Sequence, residues 1–267
     1  MKQHRVKPGA KLDLGKLDAG STPGFKGSKK QAEERLLELT GKLELLQEAL
    51  WAEHKHKVLV VLQGMDTSGK DGTISHVFEG VNPLGVRVAS FKAPSADELD
   101  HDFLWRVHPK VPGRGEMMIF NRSHYEDVLA VRVKRLAPPG VWRARYDQIN
   151  DFERLLAETG TVVLKFFLHI DKDEQKARLQ ERLDDPKKRW KFRRGDLDDR
   201  LHWADYMAAY EEALSRTSQK CTPWYVVPAN KKWYRNLVVA TVLVKALEDL
   251  DIQTPEPEDD LAGIVIE

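Results

Sequence analysis

Cysteine is almost absent from this 267-residue sequence: Cys221 is the only one. No intrachain disulfide can form, and no multi-cysteine metal site can be built. Cys221 itself reads as a small filler near a strand. Net charge is nearly absent as well. The 43 Lys and Arg offset 42 Asp and Glu to leave +1. Overall charge therefore does not describe a nucleic-acid coat protein, and any site for a polyanion must be a local cluster. Long apolar runs are missing. The run Val58-Leu59-Val60-Val61-Leu62 is the length of a strand, far short of a bilayer span. Residues 1–10 are basic and polar with no apolar stretch behind them, so no signal peptide and a cytoplasmic location are expected. The 17 glycines and 13 prolines follow no period, which excludes collagen-like and mucin-like chains. What remains is 41% hydrophobic and 32% charged, too apolar for disorder and enough for one sizeable core.

Residues 1–27, rich in Lys, Gly and Pro, read as an extended arm on the body or on a neighbouring subunit. Leu36, Leu37, Leu39, Leu43, Leu46 and Leu50 then recur at three- and four-residue spacing, which predicts a helix over 29–54. The continuous apolar run at 57–63 predicts a strand buried on both faces, as in the centre of a parallel sheet. Further strands are expected at 86–91, 116–120, 161–170 and 223–227. Helices are expected from 72 to about 79, over 141–158, 173–183, 196–215 and 233–250, and from Ser95 to Arg106. Ser95 with Glu98 forms a capping box. Strands alternating with helices predict a doubly wound α/β domain with a mainly parallel five-stranded sheet. The expected division is an arm and helix (1–54), one catalytic domain (55–252) with a lid at 185–195, and a loose tail (253–267).

The strongest local signal is Gly64-Met65-Asp66-Thr67-Ser68-Gly69-Lys70-Asp71-Gly72. It fits G-x-x-x-x-G-K between a buried strand and a helix. Gly64, Gly69 and Gly72 permit a tight loop, and the amides from Thr67 and Ser68 onwards can surround phosphate oxygens at the helix start. Lys70 supplies a mobile positive charge. Where such loops usually carry Ser or Thr, this chain has Asp71, and Asp66 lies inside the loop. Two acids in an anion-binding turn make electrostatic sense with a cation, because magnesium accepts carboxylate and phosphate oxygens together. Asp66 is a candidate magnesium ligand, or a base that orients an attacking phosphate. Asp71 is the weaker candidate, since an acid in a first helical turn is ordinary dipole chemistry.

The strand at 116–120 ends in Asn121-Arg122-Ser123, at the edge where parallel sheets place ligands. Asn121 stands where many phosphate-loop enzymes carry a metal-binding Asp. Arg122 can grip a phosphate with paired donors. Tyr125 and Glu126 follow, and Glu126 either contacts a nucleotide or merely opens a helix. Arg178 and Arg182 share one helix face. Residues 187–194 hold six basic residues in eight: Lys187, Lys188, Arg189, Lys191, Arg193 and Arg194. Between two helices, with Pro186 and Gly195 as hinges, this segment reads as a closing lid. That density exceeds what one triphosphate needs and suits a long phosphate chain. RNA is the rival polyanion, with Trp190 and Phe192 as stacking groups, though near-neutral net charge argues against a specific nucleic-acid partner.

The sequence resembles the polyphosphate kinase 2 family from about Arg5 to Arg235. The resemblance rests on the phosphate loop together with Phe103-Leu104-Trp105-Arg106, Ile119-Phe120-Asn121-Arg122-Ser123-His124-Tyr125-Glu126-Asp127 and Lys188-Arg189-Trp190-Lys191-Phe192. It rests also on the segment from Pro223-Trp224-Tyr225 to Trp233-Tyr234-Arg235. It implies a three-layer P-loop kinase fold related to thymidylate kinase, with a helical lid. It implies reversible phosphoryl transfer between inorganic polyphosphate and AMP, ADP or ATP, with magnesium or manganese and without a covalent intermediate. It implies Asp66 as the essential acid, Lys70 as the phosphate lysine, and Arg122 and Arg182 as phosphate-gripping arginines. Arg106, Tyr125 and Glu126 are expected at the nucleotide, Arg178 and the lid at the polyphosphate, and Asp66 with Asn121 at the metal. The residues around Glu126 resemble the subgroup acting on both nucleoside mono- and diphosphates. No membrane partner is expected, and the leucine-rich helix suggests a homodimer or homotetramer. An ATP-dependent nucleoside monophosphate kinase is the alternative.

Overall fold

The computed structural model describes residues 1–257 and Ile266. In chain order the elements are α1 (Lys29–Glu53), β1 (Lys57–Gln63), α2 (Lys70–Val77), β2 (Val86–Ser90), α3 (Ala96–Asp100), β3 (Met117–Asn121), α4 (Ala130–Val133), α5 (Pro139–Glu158), β4 (Thr161–His169), α6 (Lys172–Asp184), α7 (Arg194–Leu201), α8 (Trp203–Thr217), β5 (Trp224–Pro228) and α9 (Lys232–Glu248). The five strands form one sheet in the order β2-β3-β1-β4-β5, every pair parallel. β1 sits at the centre, as its uninterrupted apolar run predicts.

Alternation along the strands builds two cores. Leu59 and Val61 of β1 face one side with Met118, Phe120, Val163 and Phe167, and α5 and α8 cover them through Tyr146, Ile149, Tyr210 and Leu214. Val58, Val60 and Leu62 face the other with Ile119, Leu164 and Phe166, under α1, α9 and Val77 of α2. The helix at the N-terminus starts on a capping box between Ser28 and Gln31 and ends at His54 in the left-handed region. The arm lies on the body of its own chain. Arg5 bridges Tyr225, the His4 Nε2 lies 2.9 Å from the Tyr234 hydroxyl, and Leu14 is buried.

Three expectations need correction. The helix opened by the Ser95–Glu98 capping box stops at Asp100, because the Asp102 carboxylate accepts from the Leu104 amide and turns the chain. The helix expected over 196–215 is two helices, since the chain tightens at His202, whose amide donates to Asp199 O. Cys221 is exposed rather than packed as filler. Of the tail, residues 253–257 lack regular structure, and 258–265 and 267 lie outside the described residues. Among the described residues no helix is long and apolar enough to cross a membrane.

Candidate active site

β1 ends at Gln63 and the chain turns at once into the loop. Gly64 has φ +153, and a Cβ there would come within 2.7 Å of Leu168 O. Gly69 has φ +102, and a Cβ there would collide with the Arg235 guanidinium. Both positions therefore need glycine. Lys70 opens α2 but folds back, nearly buried, with Nζ donating to Gly64 O (2.8 Å) and Met65 O (3.2 Å). Burial, and after it the Arg122 charge, lower its pKa to about 8 against the pull of Asp66, Glu126 and Asp71. Thr67 Oγ1 and Ser68 Oγ are buried without a hydrogen-bond partner among the described residues.

Arg178 does not present its charge to a phosphate site. Its Nε donates to Glu174 (2.7 Å), Nη1 to Thr67 O (2.8 Å) and Ser68 O (3.2 Å), and Nη2 to Ala229 O (2.7 Å) and Asn230 O (3.0 Å). All its donors are engaged, so it braces the loop from behind and draws the loop's carbonyls towards itself. Arg235 on α9 backs the same loop, with Nη1 3.4 Å from Ser68 O. It is buried and makes no salt bridge among the described residues. Burial, with Arg178 beside it, lowers its pKa to about 9. In the sequence Arg235 stands out only as the end of a motif, because nothing local announces that α9 returns beneath the loop.

The loop after β3 supplies the opposing wall. Asn121 Nδ2 donates to Asp71 Oδ1 (2.7 Å). Arg122 adopts φ +62, a conformation costing a non-glycine residue about 1 kcal/mol. Its guanidinium pairs with Asp66 and lies 3.8 Å from Glu126. Glu126 raises the Arg122 pKa further. Burial pushes the Glu126 carboxyl up, against Arg122 and Lys70. Asp66, Lys70, Asp71, Asn121, Arg122 and Glu126 thus meet at the carboxyl edge of β1 and β3.

Two residues expected at the nucleotide are engaged within the protein. Tyr125 is wholly buried, with its hydroxyl 2.8 Å from Glu153 and 3.0 Å from Thr217, so it has no face to offer a ligand. Arg106 engages a separate pair of acids, Glu98 (3.4 Å) and Asp127 (3.8 Å), and donates to Lys92 O (2.9 Å).

Arg182 joins the lid to the site. Its Nη1 lies 3.3 Å from Asp196 and donates to Lys191 O (3.2 Å). The Asp196 carboxyl is raised by burial and then by the nearby Asp66 charge. In the lid, Arg189–Lys191 forms a 3-10 turn. Lys188 pairs with Glu181 (2.5 Å) and Asp185 (3.3 Å), and Arg189 Nε donates to Leu183 O (2.8 Å). Lys187, Arg193 and Arg194 are exposed, and Trp190 is 76% exposed beneath the Lys191 ammonium. From α8, Tyr206 and Tyr210 are buried close by, and Tyr206 donates to Asp199 (3.1 Å). Burial, followed by the Glu126 charge, raises the Tyr210 pKa.

Among the described residues no three His, Cys, Asp or Glu side chains gather as a ready metal site. The carboxylates of Asp66 and Asp71 and the amide of Asn121 are all hard oxygen donors beside the loop. Such a set suits a magnesium ion whose shell substrate phosphates and waters complete.

The model of the family described as polyphosphate kinase 2 matches residues 26–255. The chain belongs to the polyphosphate kinase 2 family. It is an enzyme of the polyphosphate:nucleotide phosphotransferase class. It is 59% identical, over the full length of both chains, to the AMP/ADP-polyphosphate phosphotransferase of Meiothermus ruber. It is 46% identical to the ADP-polyphosphate phosphotransferase of Rhodopseudomonas palustris, covering 96% of this chain and 92% of the relative. The crystal structure of polyphosphate kinase 2 from Arthrobacter aurescens superposes with a TM-score of 0.94 at 45% identity, covering 98% of this chain and 93% of that one.

Proposed function

We propose that this enzyme moves the terminal phosphoryl group of inorganic polyphosphate to AMP and to ADP, forming ADP and ATP, reversibly and with magnesium. GDP is a further acceptor of the same reaction. The observation that carries this reading is the lid. Six basic residues fall in eight, and Arg182 holds the segment at Lys191 O and Asp196. A single nucleotide needs no such density, whereas a chain of phosphates does. The name of the Meiothermus ruber relative supports acceptance of both AMP and ADP.

Polyphosphate lies along the lid with its end at the loop amides and Lys70. Arg122 and Glu126 hold the acceptor at the edge of β3, in a thymidylate-kinase-like arrangement of donor and acceptor across the sheet. An oxygen of the acceptor phosphate attacks the terminal phosphorus in line. The bridging P–O bond breaks, and its electron pair leaves on the chain, now one unit shorter. Lys70, Arg122 and Arg182 offset the charge on the group in flight. Asp66 and Asn121 would hold magnesium, with Asp71 beside them, and the ion would neutralise phosphate charge. Transfer is direct in this reading, with no phosphohistidine: His124 is buried against Glu153 at 3.3 Å, and His76 Nδ1 lies 2.8 Å from Gly72 O on α2. Leu37 and Leu45 are exposed on α1, which favours a homodimer or homotetramer with α1 in its interface.

The test is a transfer assay with AMP, ADP and GDP, each given polyphosphate or ATP as donor, with magnesium. Product from polyphosphate with AMP and ADP supports the reading. Product from ATP and AMP alone replaces it with a nucleoside monophosphate kinase.

A further inference from the structure

Behind the acceptor loop lies a polar cluster that the transfer step never touches. Lys165 stands in the middle of β4 with no exposed surface. Its Nζ donates to Glu153 of α5 (2.5 Å), to Thr217 O at the end of α8 (2.7 Å) and to the Tyr125 hydroxyl (2.9 Å). Glu153 is equally buried. It accepts from Tyr125 (2.8 Å) and Thr222 (3.1 Å) and lies 3.3 Å from His124 Nε2. Desolvation alone would raise its pKa, but the Lys165 ammonium and His124 overturn that and hold it low. The Tyr125 ring packs edge-on to Trp224 at 4.7 Å. A buried ion pair is a poor source of stability compared with an apolar filling of the same volume. Its placement is therefore the informative feature.

The cluster holds His124 and Tyr125, two and three residues after Arg122 in the same turn. Residues 122–126 are pinned at both ends. The Arg122 amide continues the sheet by donating to Leu62 O (3.1 Å). The side chains of His124 and Tyr125 run into the cluster, while Ser123 Oγ accepts from the Tyr125 amide (3.2 Å). Between the pins Arg122 holds φ +62. Such a backbone persists only where its surroundings over-determine it. We propose that the buried Lys165–Glu153 pair, acting through Tyr125 and His124, is a positioning device that locks Arg122 and Glu126 at the acceptor phosphate. Neither Lys165 nor Glu153 touches substrate. Thr217 and Trp224 extend the same network to α8 and β5.

The proposal rests on the transfer reaction given above, and its test separates the two. Tyr125→Phe keeps the ring and removes only the hydroxyl. With polyphosphate and AMP, its kcat should fall by about tenfold, the scale of a slightly misplaced catalytic group. The KM for polyphosphate should stay within about twofold, since that site lies on the lid. Leu247→Ala, a cavity in the α1–α9 core, should lower the melting temperature at least as far while leaving kcat unchanged. The deciding measurement is a double-mutant cycle with Arg122→Lys. If Tyr125 acts through Arg122, Y125F should cost little in the R122K background. Equal losses in both backgrounds, or an unchanged kcat in Y125F, would overturn the proposal and leave the cluster purely structural. Glu153→Gln, which keeps the shape but not the charge, should repeat the pattern if it folds. A wild-type enzyme that takes nothing from polyphosphate would sink the functional reading instead. The same cycle, read as AMP affinity, would then still decide the positioning role.

Discussion

Arg122 donates to the carboxylate of Asp66, joining the loop after β3 to the phosphate loop after β1. The contact closes a sequence gap of 56 residues at the edge of the two neighbouring strands. It also sets the electrostatics of the site. Arg122 neutralises Asp66, one of the two acids of the anion-binding turn, and Lys70 stands next to both Arg122 and Asp66.

Lys70 is more than a surface charge. Because its ammonium satisfies Gly64 O and Met65 O, Lys70→Ala should lower stability by roughly 1 kcal/mol through the lost hydrogen bonds. Transfer should fall by about 10²-fold or more, as for loss of a group that stabilises the transition-state charge. A melting curve and a single-turnover rate measure the two effects separately. A wild-type rate in K70A would remove Lys70 from the chemistry.

The same lysine predicts a pH dependence. Its folded pKa of about 8 lies below its ordinary 10.5. Only the charged form attracts phosphate, so kcat/KM for polyphosphate should decline as pH rises through about 8. Stability moves the other way. Below about 8 both states carry the proton, and the buried charge costs its full amount. Between 8 and 10.5 the unfolded chain holds more protons, so this cost fades as pH rises. Rate and denaturation profiles over that window check both signs. Lys70→Met should remove the stability trend.

The lid should govern the donor. Changing Lys188, Arg189 and Lys191 together to Gln should raise the KM for long-chain polyphosphate by about tenfold or more and flatten its salt dependence, because fewer contacts release counterions. Acceptor affinity should change little. Lys188 also pairs with Glu181 and Asp185, so its loss exposes two repelling carboxylates and adds to the effect. An unchanged KM would make the segment a solvated loop.

The parts of this enzyme written in local sequence were readable from it. The apolar run of β1, the glycines at 64 and 69 and the charge density of the lid each have a local physical cause. What stayed hidden depends on contacts distant in sequence. Arg178 and Arg182 look equivalent on one helix face. Yet four backbone carbonyls, from the loop and from the end of β5, claim Arg178 and leave Arg182 beside the lid. Tyr125 and Glu126 are adjacent, yet the short 3-10 turn His124–Asp127 sends one into the core and the other into the site. One local signal for the buried cluster does exist. Lys165 interrupts the apolar strand Thr161–His169, and a lysine buried there needs an acid, which Glu153 supplies.

The sharpest test concerns Asp66, Asn121 and magnesium. Asp66→Asn keeps the shape of the turn but removes the charge that meets Arg122. If Asp66 holds the metal or orients the acceptor, transfer should fall by about 10²-fold or more, while the fold and nucleotide binding stay largely intact. A turn residue with a purely structural role would tolerate the change. Asn121 offers the converse experiment. Its amide donates to Asp71 at 2.7 Å, so Asn121→Asp sets two carboxylates face to face with no proton between them. Like charges that close repel unless a cation joins them. Without magnesium, N121D should melt lower than wild type. Added magnesium should restore the difference, and activity should persist with a steeper dependence on the ion. The measurement is a magnesium titration of initial rate and of melting temperature for wild type, D66N and N121D with AMP and polyphosphate. A near-normal maximal rate with unchanged magnesium dependence in D66N would make Asp66 a purely structural turn residue. A melting temperature of N121D that ignores magnesium would place the ion away from Asp71 and Asn121.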